Sequence, residues 1–290
     1  MNFFKLIFRN ADKEPNKFGP ETTAPKHKET LGAVAPAKNF ERLAVTDDGF
    51  FTTLKVPYRN DGTLKPKTIS DVFDFAYNMT FGGKGEHRDH RSGGHHERRS
   101  GEIFANAFQG KIAECAACNF FYRFDKSSKP DFAVYKLGKW DSVDLSVAGR
   151  EVSVKSTKHF GQLLLLETKD WDENGVYIPN KENGVYDFIL FIRLNPNCED
   201  LLKEMRMLYS DTANFNDLKR AVLKQRWTYN YVGYITRDDL KFIIKNKYVL
   251  PRNALLNGKT AMDAENYYVQ AGDLRSMDSL KEFFDDTRRN

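Results

Sequence analysis

The chain has 290 residues, 40% of them hydrophobic, which suits one large domain with its own core or one domain with an appendage. A formal charge of +5, with 29% charged residues, makes it mildly basic, which permits a nucleic-acid partner without requiring one. Three cysteines are too few for a disulfide framework and no apolar run approaches a membrane span, so the chain reads as a cytoplasmic protein with no membrane partner.

Residues 1–65 hold Pro15, Pro20, Pro25, Pro36 and Pro57 among many polar residues, which predicts an extended N-terminal arm wrapped on the body or on a partner. Residues 66–290 form the main domain, with a core over 101–194 and C-terminal helices and strands over 195–290. A helix is expected over 68–81, capped by Thr68 or Ser70 and apolar at Val72, Phe73, Phe75, Ala76 and Met79. Residues 84–101 carry no apolar side chain and cannot be core. Two readings of this loop stand side by side. It is either a solvated basic loop or a DNA-contacting one, with Arg88, Arg91, Arg98, Arg99 and His90 on phosphates or base edges. A zinc site built on its histidines lacks local cysteine partners.

A long helix follows over 102–124, apolar at Phe104, Phe108, Ile112, Cys115 and Ala116. Glu102 in its first turn suits the helix dipole. Glu114 is unusual, because its helical neighbours are Gly110, Ala113, Ala117, Cys118 and Phe121. A carboxylate there needs either a cation or an ion pair with a nearby Lys or Arg. Cys115 and Cys118 lie on this helix with no second pair elsewhere, so they read as buried small residues rather than as a zinc site.

Residues 142–157 alternate twice around a glycine. Val143, Leu145 and Val147 share one face and Val152 and Val154 another, while Asp144, Ser153 and Lys155 are polar. This is a β-hairpin. A turn at Ala148-Gly149 sets Asp144 opposite Ser153 and Val143 opposite Val154; a slip of one residue would set Asp144 against a valine. Asp144 and Lys155 then share a polar face, either as a simple cross-strand ion pair or as a site that binds a divalent cation and acts on a phosphorus centre. Farther on, residues 163–166 are wholly apolar and lead to Glu167, and residues 186–194 have the continuous apolar character of a buried central strand. Helices are expected over 199–209, 215–226, 238–246 and 277–286, with strands over 227–236 and 267–270.

An aspartate, a short hairpin, and an apolar strand ending in Val154-Lys155 resemble the PD-(D/E)xK nuclease superfamily, home of most type II restriction endonucleases. The resemblance covers residues 101–194 best. The chain departs from the pattern where Ser153 replaces the acid two residues before the lysine, as in a Ser-x-Lys branch that recruits a glutamate from elsewhere. Pro130-Asp131 also fits the letters of the motif, but the alternation favours Asp144. The resemblance implies an α/β (mixed α+β) fold, a restriction-endonuclease-like central mixed sheet flanked by helices. It implies Mg²⁺ as cofactor, double-stranded DNA as substrate, a homodimer, and catalytic roles for Asp144, Ser153 and Lys155. The second metal acid is expected at Glu114 first, Glu167 second and Glu151 third. A structure-specific repair or junction nuclease and a catalytically inactive DNA-binding protein are the alternatives.

Overall fold

The computed structural model describes residues 38–83, 98–126, 128–132, 144–180 and 184–284. Its centre is a five-stranded mixed sheet built from β3 (Gly62–Thr63), β4 (Leu145–Val147), β5 (Arg150–Lys158), β7 (Phe188–Asn195) and β8 (Thr228–Thr236), in the order β3-β8-β7-β5-β4. Strands β5 and β7 run parallel, with Ser153 level with Ile189, Lys155 with Phe191 and Thr157 with Arg193. The other pairs are antiparallel. The pairing of β7 with β8 shifts at Phe191/Ile192. There Gly233 takes φ 156° against the Arg275 carbonyl, which a Cβ would meet at 2.5 Å, so only glycine admits that close approach.

The pleat sends alternate residues to two different layers. Val152, Val154, Phe188, Leu190, Ile192 and Leu194 face a core shared with α1 (Pro66–Met79), α2 (Ser100–Tyr122), α3 (Cys198–Glu204), α4 (Phe215–Lys224) and α6 (Met277–Leu280). Ring pairs such as Phe73–Phe104 at 5.6 Å and Phe108–Trp227 at 5.0 Å tie these helices together. Ile189 and Phe191 face the other layer. That layer holds α5 (Arg237–Lys245) and a second, three-stranded sheet of β6 (Leu163–Glu167), β12 (Asn266–Gln270) and β9 (Val249–Leu250). The fold is therefore mixed α/β, as expected, with helices packed on both faces of the central sheet. On one face a small sheet shares the covering with α5.

The other differences are local. Strands β1 (Ala44–Thr46), β2 (Gly49–Phe51), β10 (Leu255–Leu256) and β11 (Thr260–Ala261) form a small third sheet. From residue 38 the segment expected as an arm is thus part of the body, with Phe40 and Leu43 buried in the second layer. Residues 1–37 lie outside the described residues. Helix α1 starts earlier than its serine and threonine suggest, because Pro66 occupies its first turn with its φ already set for a helix. Helix α3 stops at Glu204 rather than running to 209. Arg206 turns to φ 58° and Met207 N donates back to Leu202 O at 2.7 Å, closing the helix end. Helix α6 is four residues long and passes into a 3-10 turn, Lys281–Phe283.

Candidate active site

The hairpin forms in the expected register. Leu145 pairs with Val152, Ser146 with Glu151 and Val147 with Arg150, so Asp144 comes opposite Ser153. Ala148 at φ 49° and Gly149 at φ 76° make the connection, the two positive φ values that a type I′ turn requires. Strand β4 begins at Leu145, one residue after Asp144, and the Asp144 side chain takes over where the ladder ends. Its Oδ2 accepts hydrogen bonds from Ser153 Oγ at 3.0 Å and from Val154 N at 2.7 Å. Both donors are neutral, so the carboxylate is fixed in place with its charge uncancelled, and Oδ1 makes no hydrogen bond among the described residues. Ser153 is fully buried, and its hydroxyl does the orienting.

Lys155 lies two residues beyond Ser153 on β5 and projects to the same face. It makes no salt bridge among the described residues. Its Nζ stands 5.8 Å from the centre of the Tyr177 ring, an aromatic contact suited to an ammonium. Tyr177 belongs to the segment after β6, where Trp171 bridges to Tyr177 and their rings lie 5.2 Å apart. The simple Asp144–Lys155 ion pair is not formed; the two charges occupy one face with different partners.

No family model, curated protein or solved structure matches the chain.

The three candidate glutamates fall in different places. Glu114 on α2 binds Lys111 Nζ at 2.5 Å, both side chains being buried. Lys111 is in turn set 5.0 Å from the Phe75 ring. Helix α2 covers the face of β5 that carries Val152 and Val154, away from Ser153 and Lys155. This placement favours the ion-pair alternative for Glu114 over its reading as first metal ligand: its buried charge is matched by a lysine one turn away. Glu151 shares the Ser153 face and buries Oε2. It sits one pair nearer the turn, and its backbone nitrogen donates to Asp187 Oδ2 at 2.8 Å. Glu167 ends β6, in the layer that covers the Lys155 face, and also buries Oε2. Thr168–Asp170 then leads directly from it to Trp171 and Tyr177.

The donor chemistry of this edge fits Mg²⁺. That ion takes oxygen ligands, and one or two carboxylates suffice when phosphate and water complete its octahedron. Asp144 Oδ1 is an oxygen with no hydrogen bond among the described residues, and Glu167 ends a strand of the layer that covers the Lys155 face. Among the described residues no group of three or more His, Cys, Asp and Glu side chains could hold a metal ion, so no cage of the calcium or zinc type is present there.

Arg88, Arg91 and His90 lie outside the described residues. Arg99 caps α2 and its Nη1 binds Asp211 at 2.8 Å, while its backbone nitrogen donates to Glu102 Oε2 at 2.9 Å. Those contacts give Arg99 and Glu102 a structural task at the helix start, and they hold the Asp211 carboxyl below its ordinary range, the Ser100 backbone hydrogen bond most of all. The cysteines are free thiols, and burial pushes the Cys118 thiol up to about 12 and Cys115 higher. No helix among the described residues is long and apolar enough to cross a membrane.

The sequence did not point to Tyr177. Its position beside Lys155 depends on a chain reversal that no local pattern announces. Arg193 was also passed over, although an arginine inside the run Phe188–Asn195 is a visible anomaly.

Proposed function

We propose that the protein is a Mg²⁺-dependent endonuclease that hydrolyses phosphodiester bonds of double-stranded DNA, in the manner of type II restriction endonucleases. The observation that carries this reading is the hairpin itself. Its register brings Asp144 onto the face of Lys155 and fixes the carboxylate with two uncharged donors.

Each residue has a distinct task. Asp144 and Glu167 are the oxygen ligands for the metal, and Ser153 holds the Asp144 carboxylate in position. Lys155 orients the attacking water and stabilises negative charge on the phosphate as the bond to the leaving oxygen breaks. Tyr177 keeps the lysine side chain from collapsing onto the acid. Mg²⁺, when bound, polarises the phosphoryl oxygens and neutralises their charge. Arg88, Arg91, Arg98 and His90 are proposed as DNA contacts, and a homodimer is the assembly suited to a palindromic site.

A second reading, a DNA-binding protein that does not cut, has an observation of its own in Ser153, which stands where an acid ligand would. Supercoiled plasmid DNA incubated with and without Mg²⁺ separates the two. Linear or nicked product only with Mg²⁺, with ends that sequence to discrete positions, is expected. Retarded but intact plasmid at every Mg²⁺ concentration would establish the binder instead.

A further inference from the structure

Arg193 is fully buried on β7, on the Ile189 and Phe191 face of the central sheet, level with Thr157 of β5. Its Nη1 donates to Val56 O at 2.8 Å and to His159 O at 3.4 Å. No protein atom among the described residues engages Nε or Nη2, and both are buried. These two nitrogens form one edge of the guanidinium, where two parallel N–H groups match two oxygens of one anion. Nearby acids do not fill it. Asp61 is committed to Arg59 Nε at 2.8 Å through Oδ1, and through Oδ2 to Asn230 Nδ2 at 2.7 Å and Tyr231 N at 2.8 Å. The Tyr58 hydroxyl is shared with Thr228 Oγ1 at 2.9 Å.

The same molecule shows what a satisfied edge looks like. Arg275 places Nε 2.6 Å from Asp239 Oδ2 and Nη2 2.7 Å from Asp239 Oδ1. That hydrogen bonding raises the basicity of Arg275, whereas burial lowers that of Arg193. A buried guanidinium lacking an anion on its fork is costly, and an anion that enters relieves the cost. The residue whose carbonyl accepts from Arg193 Nη1 holds a second buried nitrogen. His159 shares its carbonyl with Arg193, stacks edge-on to Tyr58 at 6.0 Å, and has a buried Nδ1 with no protein partner among the described residues. A planar carboxylate would satisfy the fork alone. A tetrahedral oxyanion satisfies the fork and has further oxygens for a third donor. The place is the C-terminal end of the parallel pair β5 and β7, the end at which open α/β sheets bind ligands.

We infer that the Nε/Nη2 edge of Arg193, with His159 beside it, is a binding site for a small oxyanion of the phosphate class. The inference does not rest on the nuclease reading, since a chain that cuts no DNA would keep the site. The test uses the full chain, dialysed free of phosphate, without DNA or divalent cation. Its thermal midpoint is followed against inorganic phosphate, with ionic strength held constant by sodium chloride and long equilibration because the site is enclosed. A rise with the logarithm of phosphate concentration is expected. Sulfate should compete, and Lys155→Ala should keep the response. Arg193→Lys keeps the charge but loses the fork, so its apparent affinity should fall by about ten- to a hundredfold. An equal rise with chloride alone, a full response in Arg193→Lys, or loss of the response in Lys155→Ala overturns the assignment. An acetate effect matching that of phosphate overturns the phosphate class. Should Arg193→Lys fail to fold, ³¹P NMR of phosphate mixed with the wild-type chain decides: a bound or exchange-broadened resonance supports the site, and an unperturbed line means that water satisfies the edge.

Discussion

Glu114 and Asp144 are both acids set against the central sheet, and they are held in opposite ways. Glu114 lies on α2 among apolar side chains and is matched by Lys111, a cation from its own helix. Asp144 lies just before β4 and, among the described residues, is held by a hydroxyl and a backbone N–H. In the first case the charge is cancelled and the pair behaves as part of the core. In the second the geometry is fixed while the charge stays available to a cation. Under the proposed function, what would mark the working acid is the neutrality of the groups that hold it, not its burial.

The largest expected effects fall on the Asp144 side. Lys155→Ala should lower Mg²⁺-dependent cleavage by about 10²- to 10⁴-fold while DNA binding, read by gel retardation, stays near wild type. Asp144→Asn still accepts the Ser153 and Val154 hydrogen bonds, so it should fold normally and lose cleavage to a similar degree. Near wild-type cutting by either variant breaks the comparison.

On the Glu114 side the loss should appear in stability. Glu114→Ala removes the carboxylate from a buried ion pair and should lower the unfolding free energy by about 3–5 kcal/mol, read from the urea midpoint. Glu114→Gln is milder and should cut DNA with an unaltered Mg²⁺ requirement once folded. Glu167→Gln should instead raise the half-saturating Mg²⁺ concentration by about tenfold, with little change in the urea midpoint. A pair of Mg²⁺ titrations showing the reverse would return Glu114 to the metal. The smallest effect is expected for Ser153→Ala. It removes one of two hydrogen bonds to Asp144, worth about 1 kcal/mol, and should slow cleavage by about threefold to tenfold. An unchanged rate would show that Val154 N alone positions the acid.

The hairpin was legible because polar and apolar residues alternate on both strands, and only one register matches them. Strand β7 was legible from its unbroken apolar run, and most helices from their spacing. Strands of two or three residues, such as β3, β9, β10 and β11, are too short to show any period. Strand β6 was seen as apolar, but an all-apolar run does not say which sheet it joins, and its pairing with β12 depends on contacts about a hundred residues away in sequence. The Glu114 assignment turned on the same limit in reverse. Lys111 sits three residues earlier on one helix, a spacing that itself announces the ion pair seen, whereas a metal role would depend on distant contacts that no local pattern shows.

The hairpin's geometry also constrains how the gene can drift. Residues added at Ala148-Gly149 lengthen the turn and leave Asp144 opposite Ser153. A single codon gained or lost within β4, or between Arg150 and Ser153, has a different effect. It carries Asp144 to the other side of the pleat, toward Val152 and Val154, while Lys155 stays where it is. Insertions in descendants of this sequence should therefore gather at the tip of the hairpin and spare its two arms, a pattern that selection on Asp144 and Lys155 acting together would leave behind.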